Sequence, residues 1–184
     1  FTLDVNESQL HNFLIVGDTT QFRVNTLLAT DRQTKFSIRE LSTFFRLSQQ
    51  SMEFLGLNLR AGESVISDTI IFRFNGQEQL SDFVPNVLIH ANLHNTIIRP
   101  KDLALFAPGA DKLTQPVYLS GVFNGRINKF RFSQMEIGTG RTILRGSLDM
   151  DGLPDIDETF IFLGLKNFRL DFHYISFLFD HLVL

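Results

Sequence analysis

At 184 residues and 21.1 kDa the chain can form one domain or one piece of a larger protein, and its 43% hydrophobic and 20% charged content excludes a disordered segment. A formal net charge of -3 supplies no basic face for nucleic acid, and the absence of cysteine excludes disulfide scaffolds, thiolate metal sites and cysteine nucleophiles. The aromatic set is 20 Phe, 2 Tyr and no Trp, so nearly every ring is purely apolar.

The chain opens in alternation at Phe1, Leu3 and Val5 with no charged leader or cleavage site, and it stops inside an apolar pattern at Leu184; both ends predict an excised segment of a longer protein. Turn signals at Asn6-Glu-Ser8 and Gly17-Asp18 flank the first alternating run, and Phe22, Val24 and Thr26 mark the next strand. Ser37-Ile-Arg-Glu40 has the form of a capping box, and with Leu41, Phe44 and Phe45 it predicts a helix. Strand periodicity resumes at Leu57, Leu59 and Ala61 and at Ile70, Phe72 and Phe74, followed by a hairpin or tight-turn signal at Asn75-Gly76, then at Val87, Ile89, Ala91 and Leu93. Pro100 opens a second predicted helix, on which Leu103 and Phe106 share a face and which Pro108-Gly109 ends. Further strands run through Val117, Leu119, Phe123 and Ile127, through Phe130 and Phe132, through Leu148 and Met150, and through Phe160 and Phe162. Turn signals at Asn124-Gly125, Gly138-Thr-Gly140 and Gly152-Leu-Pro154-Asp155 punctuate them. A third helix is predicted from Asp171, with Ile175, Leu178, Phe179 and Leu182 in a stripe. Polar neighbours such as Asn58, Arg73, His90, Asn92, His94, Asn124 and Arg131 give the strands one apolar and one wet face.

The pattern recurs. Glu40-Leu41 and Asp102-Leu103 lie 62 residues apart, Leu103 and Ile175 lie 72 apart, and Leu57–Ser64 matches Met135–Thr142 at an offset of 78. The predicted organisation is therefore repeat units over residues 36–97 and 98–167, a partial unit at 168–184, and the end of a preceding unit at 1–35. The fold class expected is mostly β with short amphipathic helices, in a curved, largely antiparallel repeat sheet forming a groove or half-barrel.

Four stretches carry a family resemblance: Ile98-Arg-Pro-Lys-Asp102-Leu103-Ala-Leu-Phe106-Ala-Pro108, Leu119-Ser-Gly121-Val-Phe-Asn-Gly125-Arg-Ile127, Gly140-Arg-Thr142-Ile-Leu-Arg-Gly146, and Gly152-Leu153-Pro154-Asp155. In their order, over residues 36–180, the chain resembles the repeating core of TamB-type translocation and assembly modules, of the AsmA-like superfamily. The first copy departs from the pattern, with Gly76-Gln-Glu in place of Gly-Leu-Pro-Asp. The resemblance implies a periplasmic segment of an inner-membrane-anchored envelope protein, with a long groove that conducts phospholipid toward the outer membrane. It also implies an alternative role as a scaffold for outer-membrane protein assembly, with a barrel partner and no membrane contact of its own.

Chemistry-bearing constellations are sparse. His90 and His94, four apart in a strand, stand roughly 13 Å from one another, too far to share a metal. The acidic run Asp149-Met-Asp151-Gly152-Leu-Pro154-Asp155-Ile-Asp157-Glu158 has its Gly at the wrong position for a calcium loop. Gly138-Thr-Gly140 lacks the following Gly and Lys of a phosphate loop, and there is no nucleophile elbow or zinc-protease motif. A glycan platform is disfavoured, since only Tyr118 and Tyr174 offer polar rings. The expectation is a non-enzymatic module without cofactor or metal whose partner is phospholipid acyl chains. Its expected groove lining is Leu57, Leu59, Ile70, Phe72, Phe74, Val87, Ile89, Leu93, Phe123, Ile127, Leu148, Met150, Phe160 and Phe162.

Overall fold

The computed structural model describes residues 3–104, 114–153, 155 and 158–171. They form one open antiparallel sheet of ten strands in chain order: β1 (Leu3–Val16), β2 (Thr19–Asp31), β3 (Ser37–Leu47), β4 (Ser51–Ala61), β5 (Ser64–Arg73), β6 (Leu88–Ile98), β7 (Val117–Arg126), β8 (Lys129–Thr139), β9 (Thr142–Asp151) and β10 (Phe160–Arg169). The mostly-β, antiparallel class read from alternation is the one observed, and the sheet does not close into a barrel. Outside the sheet, the described residues form only a 3-10 turn at Gln77–Asp82, α1 (Phe83–Asn86) and α2 (Pro100–Leu103).

The capping-box segment is strand β3, not a helix. Glu40 does not reach back to Ser37; it accepts from Asn58 Nδ2 at 2.8 Å and pairs with Arg60 at 3.1 Å across the β3–β4 ladder. Pairing on both sides, to β2 and to β4, outweighs a local helix start. The second predicted helix is observed as the four residues of α2, opened by Pro100 and closed by the bond from Ala104 N–H to the Pro100 carbonyl; its continuation, like the third predicted helix, lies outside the described residues. Asn6-Glu-Ser8 sits inside β1, where the register shifts between Val5 and Glu7, and Asn124-Gly125 lies inside β7. Asn75-Gly76 leads into the 3-10 turn and does not close a hairpin.

Strand boundaries make the internal repeat concrete. Ser51–Ala61 shifted by 78 residues is Lys129–Thr139, and Ser64–Arg73 shifted by 78 is Thr142–Asp151. β6 corresponds to β10 at a shift of 72, so that Ile89 and Ala91 fall on Ile161 and Leu163. Ser64 Oγ accepts the Arg99 amide at 2.9 Å, and its counterpart Thr142 Oγ1 accepts the Asp171 amide at 3.1 Å, at the same shifts of 78 and 72. The Glu40-Leu41 and Asp102-Leu103 match has no such counterpart, since the first lies in a strand and the second in a helix.

Most strand pairs carry a register shift near mid-strand. Pairing jumps from Phe54 to Leu57 in β4–β5, from Leu93 to Thr96 in β6–β7, from Phe132 to Met135 in β8–β9 and from Leu165 to Asn167 in β9–β10. Gly56, Asn95 and Gln134 sit at these jumps with φ of 59°, 49° and 49°. Such an extra residue bends its strand and sharpens the local twist. Because the jumps fall in adjacent rows, the bends align into a crease running across the strands, and the half-strands on either side become two walls.

Asp68 occupies the crease with φ 95°, where the second repeat has Gly146. A Cβ at Gly146 would run into the Gly164 carbonyl, so glycine is required there by the close approach of β10. Asp68 is held in its unfavourable conformation by hydrogen bonds at its Oδ2, which accepts from Asn92 Nδ2 at 3.4 Å and pairs with His94 Nδ1 at 2.6 Å. Asp68→Ala and Asp68→Gly both lose these bonds, but only glycine tolerates the backbone. Denaturant unfolding is expected to find the Gly variant more stable than the Ala variant by about 1–2 kcal/mol.

Candidate functional site

Directly opposed residues of an antiparallel ladder point to the same face, so the register sorts the strands into two surfaces. One row runs Phe22, Phe45, Phe54, Ile70, Ala91, Phe123, Phe132, Leu148, Leu163 from β2 to β10, each opposite the next. The row beside it runs Leu47, Met52, Phe72, Ile89, Gly125, Phe130, Met150, Ile161. Neither contains a charged side chain. Rings in and beside these rows touch in sequence: Phe13 with Phe22 at 5.7 Å, Phe22 with Phe45 at 5.0 Å, Phe45 with Phe54 at 5.2 Å, Phe54 with Phe72 at 6.2 Å, and Phe123 with Phe130 at 4.6 Å between centroids. These separations are those of favourable stacked and edge-on pairs.

The opposite face reads Gln21, Arg46, Glu53, Ile71, His90, Asn124, Arg131, Asp149 along the adjoining row. Its charges pair across strands, Arg46 with Glu53 at 3.5 Å, Arg131 with Asp149 at 3.8 Å and Lys129 with Asp151 at 2.5 Å. Phe44 lies among them with the guanidinium carbons of Arg23 and Arg46 at 6.0 and 5.9 Å from its ring centroid.

The crease is one of the buried parts of the sheet. On the apolar face there, Leu57 and Met135 are buried, and so are Thr43 and Thr96. Thr43 Oγ1 donates to the Leu55 carbonyl at 3.1 Å, satisfying the bulge in β4, so its hydroxyl costs little on this apolar floor. Toward the Phe-rich wall the rows open: of the nine residues in the first row only Ala91 and Phe132 are buried. Among the described residues no second sheet or long helix covers this face. The geometry is a trough with a closed floor at the crease and a partly accessible aromatic wall.

Of the expected lining residues, Leu57, Leu59, Ile70, Phe72, Ile89, Leu93, Phe123, Leu148 and Met150 fall on this one face by register. Phe74 and Val87 are buried, at 6% and 0% exposure, at the foot of the connection that carries Phe83, whose ring packs on Phe72 at 5.3 Å; they offer no open wall. Ile127 lies in the short turn between β7 and β8. Phe160 and Phe162 stand opposite Asp151 and Asp149 on the charged face, 70% and 58% exposed, while Ile161 and Leu163 take the apolar side. The lining also includes Phe45, Phe54, Phe130 and Phe132, whose alternation with Arg46, Glu53 and Arg131 is the sequence signal that finds them.

His90 and His94 both belong to the polar face and have separate partners, Asn124 Oδ1 at 2.6 Å and Asp68 Oδ2 at 2.6 Å. Among the described residues no group of three His, Asp or Glu side chains comes together as a metal site. Nor is any described helix long and apolar enough to cross a membrane. Compared with protein-family models, curated proteins and solved structures, the chain gives no match.

On the outer face Glu136 accepts from Arg145 Nε at 2.8 Å and Nη2 at 3.1 Å. That fork holds its carboxyl below the ordinary glutamate value of 4.5. Any stability from the pair is present above the ordinary range and lost as pH falls through the lowered value. An NMR titration is expected to place the Glu136 midpoint below those of unpaired glutamates, and Arg145→Gln is expected to return it to the ordinary range.

Proposed function

We propose that this chain is a segment of an apolar conduit in which phospholipid acyl chains lie along the trough, and that it belongs to a TamB-type, AsmA-like protein of the bacterial envelope. On this reading the segment is periplasmic, the parent protein is anchored in the inner membrane, and lipid moves between the inner and outer membranes. The observation that carries the reading is the unbroken apolar row from Phe22 to Leu163, over which no second sheet or long helix lies among the described residues. Ten strands at about 4.8 Å spacing give a track on the order of 43 Å long. Each methylene held on it and out of water is favoured by about 0.8 kcal/mol, and because the rows repeat, a chain can advance without leaving apolar surroundings. No covalent step is needed, so the trough acts by transfer free energy alone.

A second reading is a scaffold for outer-membrane protein assembly through the sheet edges and a barrel partner, favoured by the outer edges of β1 and β10, which no described strand pairs. Photo-crosslinkers at Phe54, Ile70, Phe123 and Leu148, in chains produced in cells with a double membrane, are expected to capture phospholipid. Native mass spectra of the same chains are expected to carry lipid-sized additions. Capture of lipid from Glu53, His90 and Arg131 instead, or no lipid together with crosslinks from the edges to nascent barrels, would overturn the conduit reading.

A further inference from the structure

The two repeat units fill one place on the outer face differently. In the first unit the Asp68 carboxylate occupies it: Oδ2 accepts from Asn92 Nδ2 at 3.4 Å and pairs with His94 Nδ1 at 2.6 Å, and Oδ1 accepts from Thr69 Oγ1 at 3.0 Å. At the shifts of 78 and 72, the second unit has Gly146 for Asp68, Gly164 for Asn92 and Lys166 for His94. The carboxylate is gone and a cation remains. Residue 146 cannot restore the acid, because a Cβ there would run into the Gly164 carbonyl. Two further exchanges make the place more positive: Arg131 stands for Glu53 and Arg145 for Ser67.

What results is a depression of ≈ 430 Å³ lined by Arg131, Ser133, Arg145, Gly146, Ser147 and Lys166. Glu136 borders it too, but its carboxylate is engaged by Arg145 Nε and Nη2, which leaves Nη1, and Arg131 stands 3.8 Å from Asp149. Lys166 and the Ser147 hydroxyl have no hydrogen bond or ion pair among the described residues. A Cβ at Gly164 would come within 3.0 Å of Ser147 Oγ, so glycine there keeps the hydroxyl clear. We propose that this depression binds a phosphate group, whose oxygens take the place that the Asp68 carboxylate fills in the first unit. Lys166 Nζ, Arg145 Nη1 and Ser147 Oγ are the donors, and bonds from ionised donors to an oxyanion are of the stronger class. The place is furnished from within its unit. In the first unit β7 follows β6, yet Asp68 and His94 bond only to residues of β5 and β6. A soluble phosphate and the headgroups of an anionic membrane surface share this chemistry. The site lies on the face opposite the trough, so it stands apart from what the trough carries.

NMR titration of the chain with inorganic phosphate at constant ionic strength is expected to shift the amides of Arg145, Gly146, Ser147 and Lys166 saturably. Those of Ser67, Asp68, Thr69 and His94 are expected to stay in place, since a carboxylate already fills the first unit. Acetate is expected to move the first set less. Lys166→Ala is expected to weaken phosphate binding about fivefold, and Lys166→Arg to keep it. Lys166 is exposed, so both variants are expected to keep the remaining spectrum. Broadening of the same four amides by phosphatidylglycerol vesicles, and not by phosphatidylcholine vesicles, identifies a membrane surface as the source. Phosphate shifts without that broadening identify a soluble phosphate. No saturable shift, shifts shared equally with Arg23, Arg46 and Arg73, an equal response to acetate, or an affinity unchanged by Lys166→Ala would each overturn the proposal.

Discussion

A sheet with one apolar face must cover that face with another layer or turn it inward on itself, and the described part of this chain does the second. Everything else depends on that constraint. The sheet holds one side free of charge along two adjacent rows, and the aligned bulges at Gly56, Asn95 and Gln134 bend the strands beside those rows. The floor of the fold is dry enough to bury Leu57 and Met135, while Phe45, Phe54 and Phe130 keep part of their rings accessible. A conventional sandwich would bury both kinds of residue alike.

The repeat explains how one short pattern makes a long uniform surface. Phe45, Phe54, Ile70 and Ala91 are followed by Phe123, Phe132, Leu148 and Leu163 in the same row, so each four-strand unit hands its apolar wall to the next without a polar seam. Each unit also closes its strand end with a hydroxyl, Ser64 in one and Thr142 in the other, accepting an amide from the chain that leaves the sheet. Where the units differ, the difference is local: Asp68 stands where Gly146 does, and the first unit inserts α1 with Phe83 against Phe72.

Much of this was legible in the sequence because alternation and turn chemistry are local signals. The offset of 78 was visible at Gly62 and Gly140, since both hairpins need a left-handed residue at that point. Ser37 and Glu40 suit a helix start as well as a strand, and only the pairing of β3 with β2 and β4 decides between them. Phe160-Ile-Phe-Leu163 is apolar in both registers, so alternation alone does not set the face of β10, and its partners Asp149 and Asp151 supply the missing information. The crease was hidden for a similar reason: Asn95 and Gln134 take a conformation that their residue types do not announce.

Acyl-chain binding along the rows requires the trough face to admit an apolar ligand in the folded chain. Paramagnetic broadening of the isolated protein by a spin-labelled fatty acid, read residue by residue in NMR spectra, tests that most directly. The predicted result is broadening of Phe54, Ile70, Phe123 and Leu148, with Glu53, Ile71, Asn124 and Asp149, their immediate chain neighbours on the other face, left sharp. Equal broadening of both sets, or none, would contradict it.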